Sequence, residues 1–259
     1  KPVNKNMTYI FDGSLQGLLT AVFEWFERKP GKVMLKSTEM FQPEAFAESF
    51  TVTTDPEKAD RVWAGLEKKL KKDWFRKYYC SYLSEIPEAY HHLFQFSLYI
   101  FQNQLGAENN YGNEHVIALA KYAKSVEREK HRMEAFIRFQ KTGDGIFYAG
   151  IDPDFNVLPL ITAHFKERYQ DQKWIIYDEK RKYGIYYDLN EVAIISLPDQ
   201  KETFNQDKDV IFHESEMNYQ KLWVEYFDHT NIKERKNTKL YLQHVPKRYW
   251  SYLTEKKIL

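Results

Sequence analysis

Near Arg132 the spacing of apolar residues changes from about 3.6 to 2, and this change narrows the possible folds more than any other feature of the chain. Upstream, Leu15, Leu18, Leu19, Val22, Phe23 and Phe26 recur at helical spacing behind Asp12-Gly13-Ser14, which can cap a helix. Asp55-Pro56 opens a second helix with Ala59, Val62, Trp63, Leu66 and Leu70 inward. Residues 74 to 104 are helical by period with an interruption near Pro87, and Asn113 caps a long helix through Val126. Short strands are predicted at Tyr9–Phe11 and Phe50–Thr53. Downstream, Ala135, Ile137 and Phe139 alternate, and a turn at Lys141–Gly145 leads into Ile146–Ile151 as a hairpin. A helix is predicted from Val157 to Tyr169, then strands at Lys173–Tyr177, Tyr183–Asp188 and Val192–Leu197, and a helix at Glu214–Phe227. The expectation is an α+β fold: a helical N-terminal part, then an antiparallel sheet in the order β-β-α-β-β-β-α with helices segregated from it. Residues 7–85 form the mostly helical region, and residues 86–255 the α+β core with its basic C-terminal segment.

Composition excludes whole classes of function. With 43% hydrophobic, 17% aromatic and 29% charged residues, a chain of 259 residues buries a real core. No apolar run approaches the roughly 18 residues of a membrane span, so a cytoplasmic protein without a membrane partner is expected. Met7 reads as the native start, with residues 1 to 6 an added segment. The single cysteine, Cys80, excludes an internal disulfide and any multi-cysteine metal site, and its apolar surroundings point to a buried structural thiol. Glycine-rich phosphate loops, Gly-x-Ser-x-Gly, His-Glu-x-x-His and Cys-x-x-Cys are all missing, and no cofactor is implied by the residues.

Charge is unevenly spread. From Asn231 to Leu259 eight basic residues face two acidic ones, a net of +6 in a chain whose total is +1. That segment interleaves Lys233, Arg235, Lys236, Lys239, Lys247 and Arg248 with Gln243, His244, Tyr249 and Trp250, which is phosphate-and-base chemistry or a solvated tail packing its aromatics on a core. A second basic group surrounds Arg128, His131, Arg132 and Arg138. Arg128 and Arg132 share a helical face and can grip adjacent phosphates, or they can lace an ordinary ion-paired surface. Arg181 lies in a charged turn between aromatic strands, where Trp174, Tyr183, Tyr186 and Tyr187 offer a face for stacking bases. Asp152 and Asp154 stand at a strand-to-helix junction, where carboxylates cap backbone donors or converge on a divalent ion. His164, on the following helix, is then a base, a third ligand or a hydrogen-bonded core residue.

These segments also carry a likeness. Tyr9-Ile-Phe-Asp-Gly-Ser14, Arg128-Glu-Lys-His-Arg-Met133, Asp152-Pro-Asp-Phe-Asn-Val-Leu-Pro-Leu-Ile161, Tyr183-Gly-Ile-Tyr-Tyr-Asp188, Asn231-Ile-Lys-Glu-Arg-Lys-Asn237 and Pro246-Lys-Arg-Tyr-Trp250 resemble a bacterial family described as DNA metabolism or DNA repair proteins. Its C-terminal portion is similar to a domain that other bacterial proteins carry fused to a uracil-DNA-glycosylase-like domain. The resemblance implies a two-protein DNA repair or base-modification system with a radical S-adenosylmethionine partner, and it supplies no catalytic residues. The expected function is therefore a nucleic-acid-binding accessory protein that takes DNA, single-stranded or with a flipped base. The alternatives are a glycosylase- or nuclease-like enzyme using Asp152, Asp154 and His164, and a scaffold that makes no DNA contact.

Overall fold

The computed structural model describes residues 7–43, 48–196 and 245–253. The chain divides into two compact units, Lys1–Arg128 and Glu129–Leu259. The boundary expected between residues 85 and 86 falls inside the first unit.

In the first unit β1 (Met7–Phe11) is the middle strand of a three-stranded parallel sheet, flanked by β2 (Val33–Ser37) and β3 (Glu48–Thr51). Tyr9, Ile10 and Phe11 are consecutive and all buried, as suits a strand covered on both faces. Among the described residues, five α-helices complete the unit's path: α1 (Leu15–Arg28), α2 (Pro56–Lys69), α3 (Lys72–Leu83), α4 (Pro87–Gln102) and the first part of α5 (Glu114–Phe136). All three capping expectations hold, since Ser14 Oγ accepts from Gly17 N–H at 2.9 Å, Asp55 accepts from the N–H groups of Glu57 and Lys58, and Asn113 Oδ1 accepts from the N–H groups of His115 (2.9 Å) and Val116 (3.3 Å). α4 packs on β2 and α1, and it gives Leu93, Phe94 and Phe96 to the same core as Tyr9, Leu18 and Leu66. Trp74 stacks on Phe96 at 5.8 Å within it. Cys80 is fully buried, with Sγ 3.4 Å from Glu127 Oε1.

Sequence period misplaces the end of α5. The helix continues through Phe136, past the expected switch at Arg132, because Met133 and Ile137 are four apart and both buried, and Ile137 N–H still bonds Met133 O at 3.0 Å. Arg138 then donates from Nη1 to the carbonyls of Ala135 and Ile137, satisfying acceptors that the helix end leaves open.

The second unit holds a five-stranded sheet in sequential order: β4 (Gln140–Lys141), β5 (Phe147–Ile151), β6 (Trp174–Asp178), β7 (Tyr183–Tyr187) and β8 (Val192–Ile195). The fold is α+β, but the sheet is not wholly antiparallel. β5 and β6 run parallel, Phe147 beside Trp174 and Ile151 beside Asp178, while the other three pairs are antiparallel. Between them lies α6 (Leu158–Arg168), whose eleven residues return the chain about 16 Å and so force the parallel pairing. Ile151, Val157, Ile161, Phe165, Trp174 and Ile176 form the core. Gly184 is required where β7 crosses β6, since a Cβ there would sit 2.7 Å from Ile176 O. The helix expected at Glu214–Phe227 and Leu197 of the last strand lie outside the described residues, as do residues 1 to 6.

Candidate functional site

Parallel strands leave their ligand-facing loops at the carboxyl ends, and β5 and β6 do so side by side. After Ile151 the chain enters Asp152-Pro153-Asp154, and after Asp178 it enters Glu179-Lys180-Arg181. Asp178 is fully buried and accepts from the N–H groups of Lys180 (3.0 Å) and Arg181 (2.9 Å) and from Arg181 Nη1 (2.8 Å). Arg181 also donates to Pro153 O and Asp154 O, each at 3.1 Å, so one guanidinium ties the two loops together. Tyr183 OH bonds Asn156 Oδ1 at 2.5 Å and holds the far end of the first loop.

Glu129 is the centre of the site. Its side chain is 2% exposed and lies on the inward face of α5, between buried Val126 and Met133. One carboxylate oxygen accepts from Arg248 Nη2 at 2.7 Å and from Tyr249 OH at 2.5 Å, and the other from Asp154 N–H at 3.2 Å. Arg248 also pairs with the Asp154 carboxylate and contacts Tyr249 OH. The guanidinium groups of Arg248 and Arg132 lie 4.5 and 5.4 Å from the Tyr249 ring centre, and Arg132 Nη1 donates to the same hydroxyl at 3.2 Å. Residues that precede the sheet and residues that follow it thus meet on one tyrosine, within the 3-10 turn Lys247–Tyr252. Tyr252 OH accepts from Asp152 N–H at 2.8 Å. Burial, with nearby carboxylates adding to it, pushes the Tyr252 phenol up to about 12, and burial and Glu129 raise that of Tyr249, so both hydroxyls keep their protons at neutral pH.

These groups enclose a cavity of about 390 Å³ whose wall includes Asp152, Asp154, Glu129, Glu179 and Arg248. Gly150 forms part of the wall under Glu179, where a Cβ would come within 2.5 Å of Glu179 Oε1. Among the described residues, four carboxylates against one guanidinium make the cavity acidic. Of its exposed carboxylates, Asp152 and Glu179 are placed to accept hydrogen bonds, whereas Asp154 and buried Glu129 are paired with Arg248.

Several expected partners are not brought together. His164 is absent from the cavity wall; its Nδ1 is 4.0 Å from Glu134 Oε1, which Lys130 also approaches at 2.9 Å. Neither Asp152 nor Asp154 caps α6, whose N-cap is Val157 with no side-chain acceptor. Among the described residues no three His, Cys, Asp or Glu side chains group as a metal ion requires. The stacking face expected from four aromatics is divided by the pleat. Trp174 and Tyr187 are buried opposite each other in adjacent strands, and Tyr186 points to the other face of the sheet. Arg128, His131 and Lys247 are exposed, and Arg128 ends the first unit. Lys233, Arg235, Lys236, Lys239, Gln243 and His244 lie outside the described residues.

Glu129 and Glu179 escaped the sequence reading. Glu129 carried a usable signal, because it is an acid three residues after Val126 and four before Met133 on the apolar stripe of α5. No described helix is long and apolar enough to cross a membrane.

No curated protein matches this chain. Residues 87–255 match the profile of DUF4130, a domain of unknown function, and that span takes in every residue of the acidic cavity. With nearly two thirds of its length matched, the chain belongs to the DUF4130 family.

Proposed function

We propose that this protein is a nucleic-acid-binding accessory protein of a DNA repair or base-modification system, acting beside a radical S-adenosylmethionine partner. The observation that supports the binding is the convergence on Tyr249 of Arg132 and Arg248, drawn from the two basic segments of the chain. Glu129 and Asp154 balance the charge of Arg248, so its work is to anchor the basic tail, and phosphate contacts fall to exposed side chains such as Lys247 and His131 and to the basic residues before Val245. The repair context rests on the family likeness in the segments quoted above.

The test is anisotropy of labelled single-stranded and duplex oligonucleotides with the full chain at several salt concentrations. Neutralising about six duplex phosphates gives a log–log slope near −5. An affinity that does not change with salt sinks the proposal.

A second reading, an enzyme acting on nucleic acid, is favoured by the exposed carboxylates of Asp152 and Glu179 over a cavity at the carboxyl ends of β5 and β6. His164 has no part in that version. Product analysis of the same oligonucleotides after incubation separates the two, because an accessory protein leaves them intact.

A further inference from the structure

The opposite end of the parallel pair carries a second cavity, of about 480 Å³, with the reverse character. Phe147 and Trp174, the first residues of β5 and β6, stand in its wall with Phe139 and Tyr169, and Arg138, Arg168 and Gln172 supply its polar groups. Among the described residues no carboxylate lines it.

Its walls are aromatic and braced. Phe165 stacks on Tyr169 at 6.1 Å and 9°, Phe139 meets Tyr169 edge-on at 5.3 Å, and Phe139 lies 6.2 Å from Trp174. Arg168, exposed at the end of α6, lies 5.7 Å over the Tyr169 ring, reaches its hydroxyl with Nε at 3.4 Å and lines the cavity. Trp174 is fully buried, and its indole N–H has no acceptor among the described residues. The wall presents apolar ring surfaces beside two guanidinium side chains, of which Arg138 is held by the carbonyls of Ala135 and Ile137.

We infer that this cavity binds one nucleotide monophosphate unit, a planar base against the aromatic wall with its phosphate at Arg168. The volume suits a small ligand, the rings offer the stacking that every base accepts, and a guanidinium beside an aromatic plane matches the phosphate a nucleotide carries next to its base. The choice of a nucleotide over other planar anions rests on the nucleic-acid reading above; the preference for a planar anion stands on the cavity alone.

Calorimetric titration of the full chain tests this with adenosine 5′-monophosphate, adenosine, and a 5′-phosphorylated tetranucleotide. The monophosphate is expected to bind with one site per chain and at least about tenfold more tightly than adenosine, the difference one charge-assisted contact makes. Arg168→Ala, at an exposed position, is expected to bring the monophosphate down to the adenosine level, and Phe147→Ala to weaken both. Binding of the monophosphate without the tetranucleotide identifies a free nucleotide as the ligand, and the reverse identifies a strand end. Either supports the site. Absence of binding by both at about 1 mM overturns it, as does monophosphate binding that neither substitution alters. If long oligonucleotides bind with the expected salt slope while neither small ligand binds, this site fails and the nucleic-acid reading stands. The opposite result sinks that reading and leaves a planar-anion site.

Discussion

Arg248 and Glu129 differ sharply in exposure, 41% against 2% for their side chains, and that asymmetry decides what each substitution does. Freed of its partners, Arg248 can turn to water, whereas Glu129 without Arg248 keeps a buried carboxylate with only neutral donors. Arg248→Ala is therefore expected to cost about 3 kcal/mol, read from chemical denaturation; a loss below about 1 kcal/mol would show that Tyr249 OH and Asp154 N–H suffice for that carboxylate. Loss of oligonucleotide binding in this variant has meaning only beside that measurement. At this scale the sequence marked Asp152, Asp154 and Arg248 as candidates, because charged residues among turn formers and aromatics stand out locally. Their partners were hidden, since Arg248 and Glu129 are 119 positions apart and only folding decides that they meet.

Among the elements, α4 and α5 bring three histidines together. His92 Nδ1 lies 2.9 Å from His115 Nδ1, the His91 ring is 6.3 Å from that of His115, and His91 Nδ1 accepts from Leu35 N–H at 3.3 Å. Glu88, Glu114 and Tyr122 are the other titratable groups near them. Burial first, then the neighbouring imidazoles, depresses His91 to about 4; burial also lowers His92 and His115. Between about 4 and the unfolded value of about 6.5 the unfolded chain binds more protons than the folded one, so stability rises with pH through that window and falls as acid is added. Urea midpoints at pH 7 and pH 4.5 should show the loss, and His91→Asn should reduce it; equal midpoints would mean that the cluster does not hold its imidazoles neutral. Helices were legible from period and caps because their signals are local. The parallel pairing of β5 and β6 was not, because strand direction depends on how α6 returns the chain, and β2, with buried Val33 and Leu35 around exposed Met34, went unseen because five residues make a weak pattern.

For the molecule as a whole, the family span and the compact units do not coincide. The DUF4130 match begins at Pro87, the first residue of α4, yet α4 completes the core of the first unit through Leu93, Phe94 and Phe96. A fragment of residues 87–255 removes β1 to β3 and α1 to α3 from that core, so its α4 amides should exchange hydrogen at the rate of an unfolded chain. Full protection of α4 in the fragment would show that the helix needs none of them. The overall α+β class followed from length, composition and period, which are properties of the whole chain, while the division inside α5 follows from which core each turn of one helix serves. The parallel pair also has a consequence for tuning. Strands of five residues separate Phe147 from Ile151 by about 13 Å, farther than directly coupled side chains reach. The acidic mouth at one end and the cationic mouth at the other are thus independent handles, and selection or design can reshape either without retuning its counterpart.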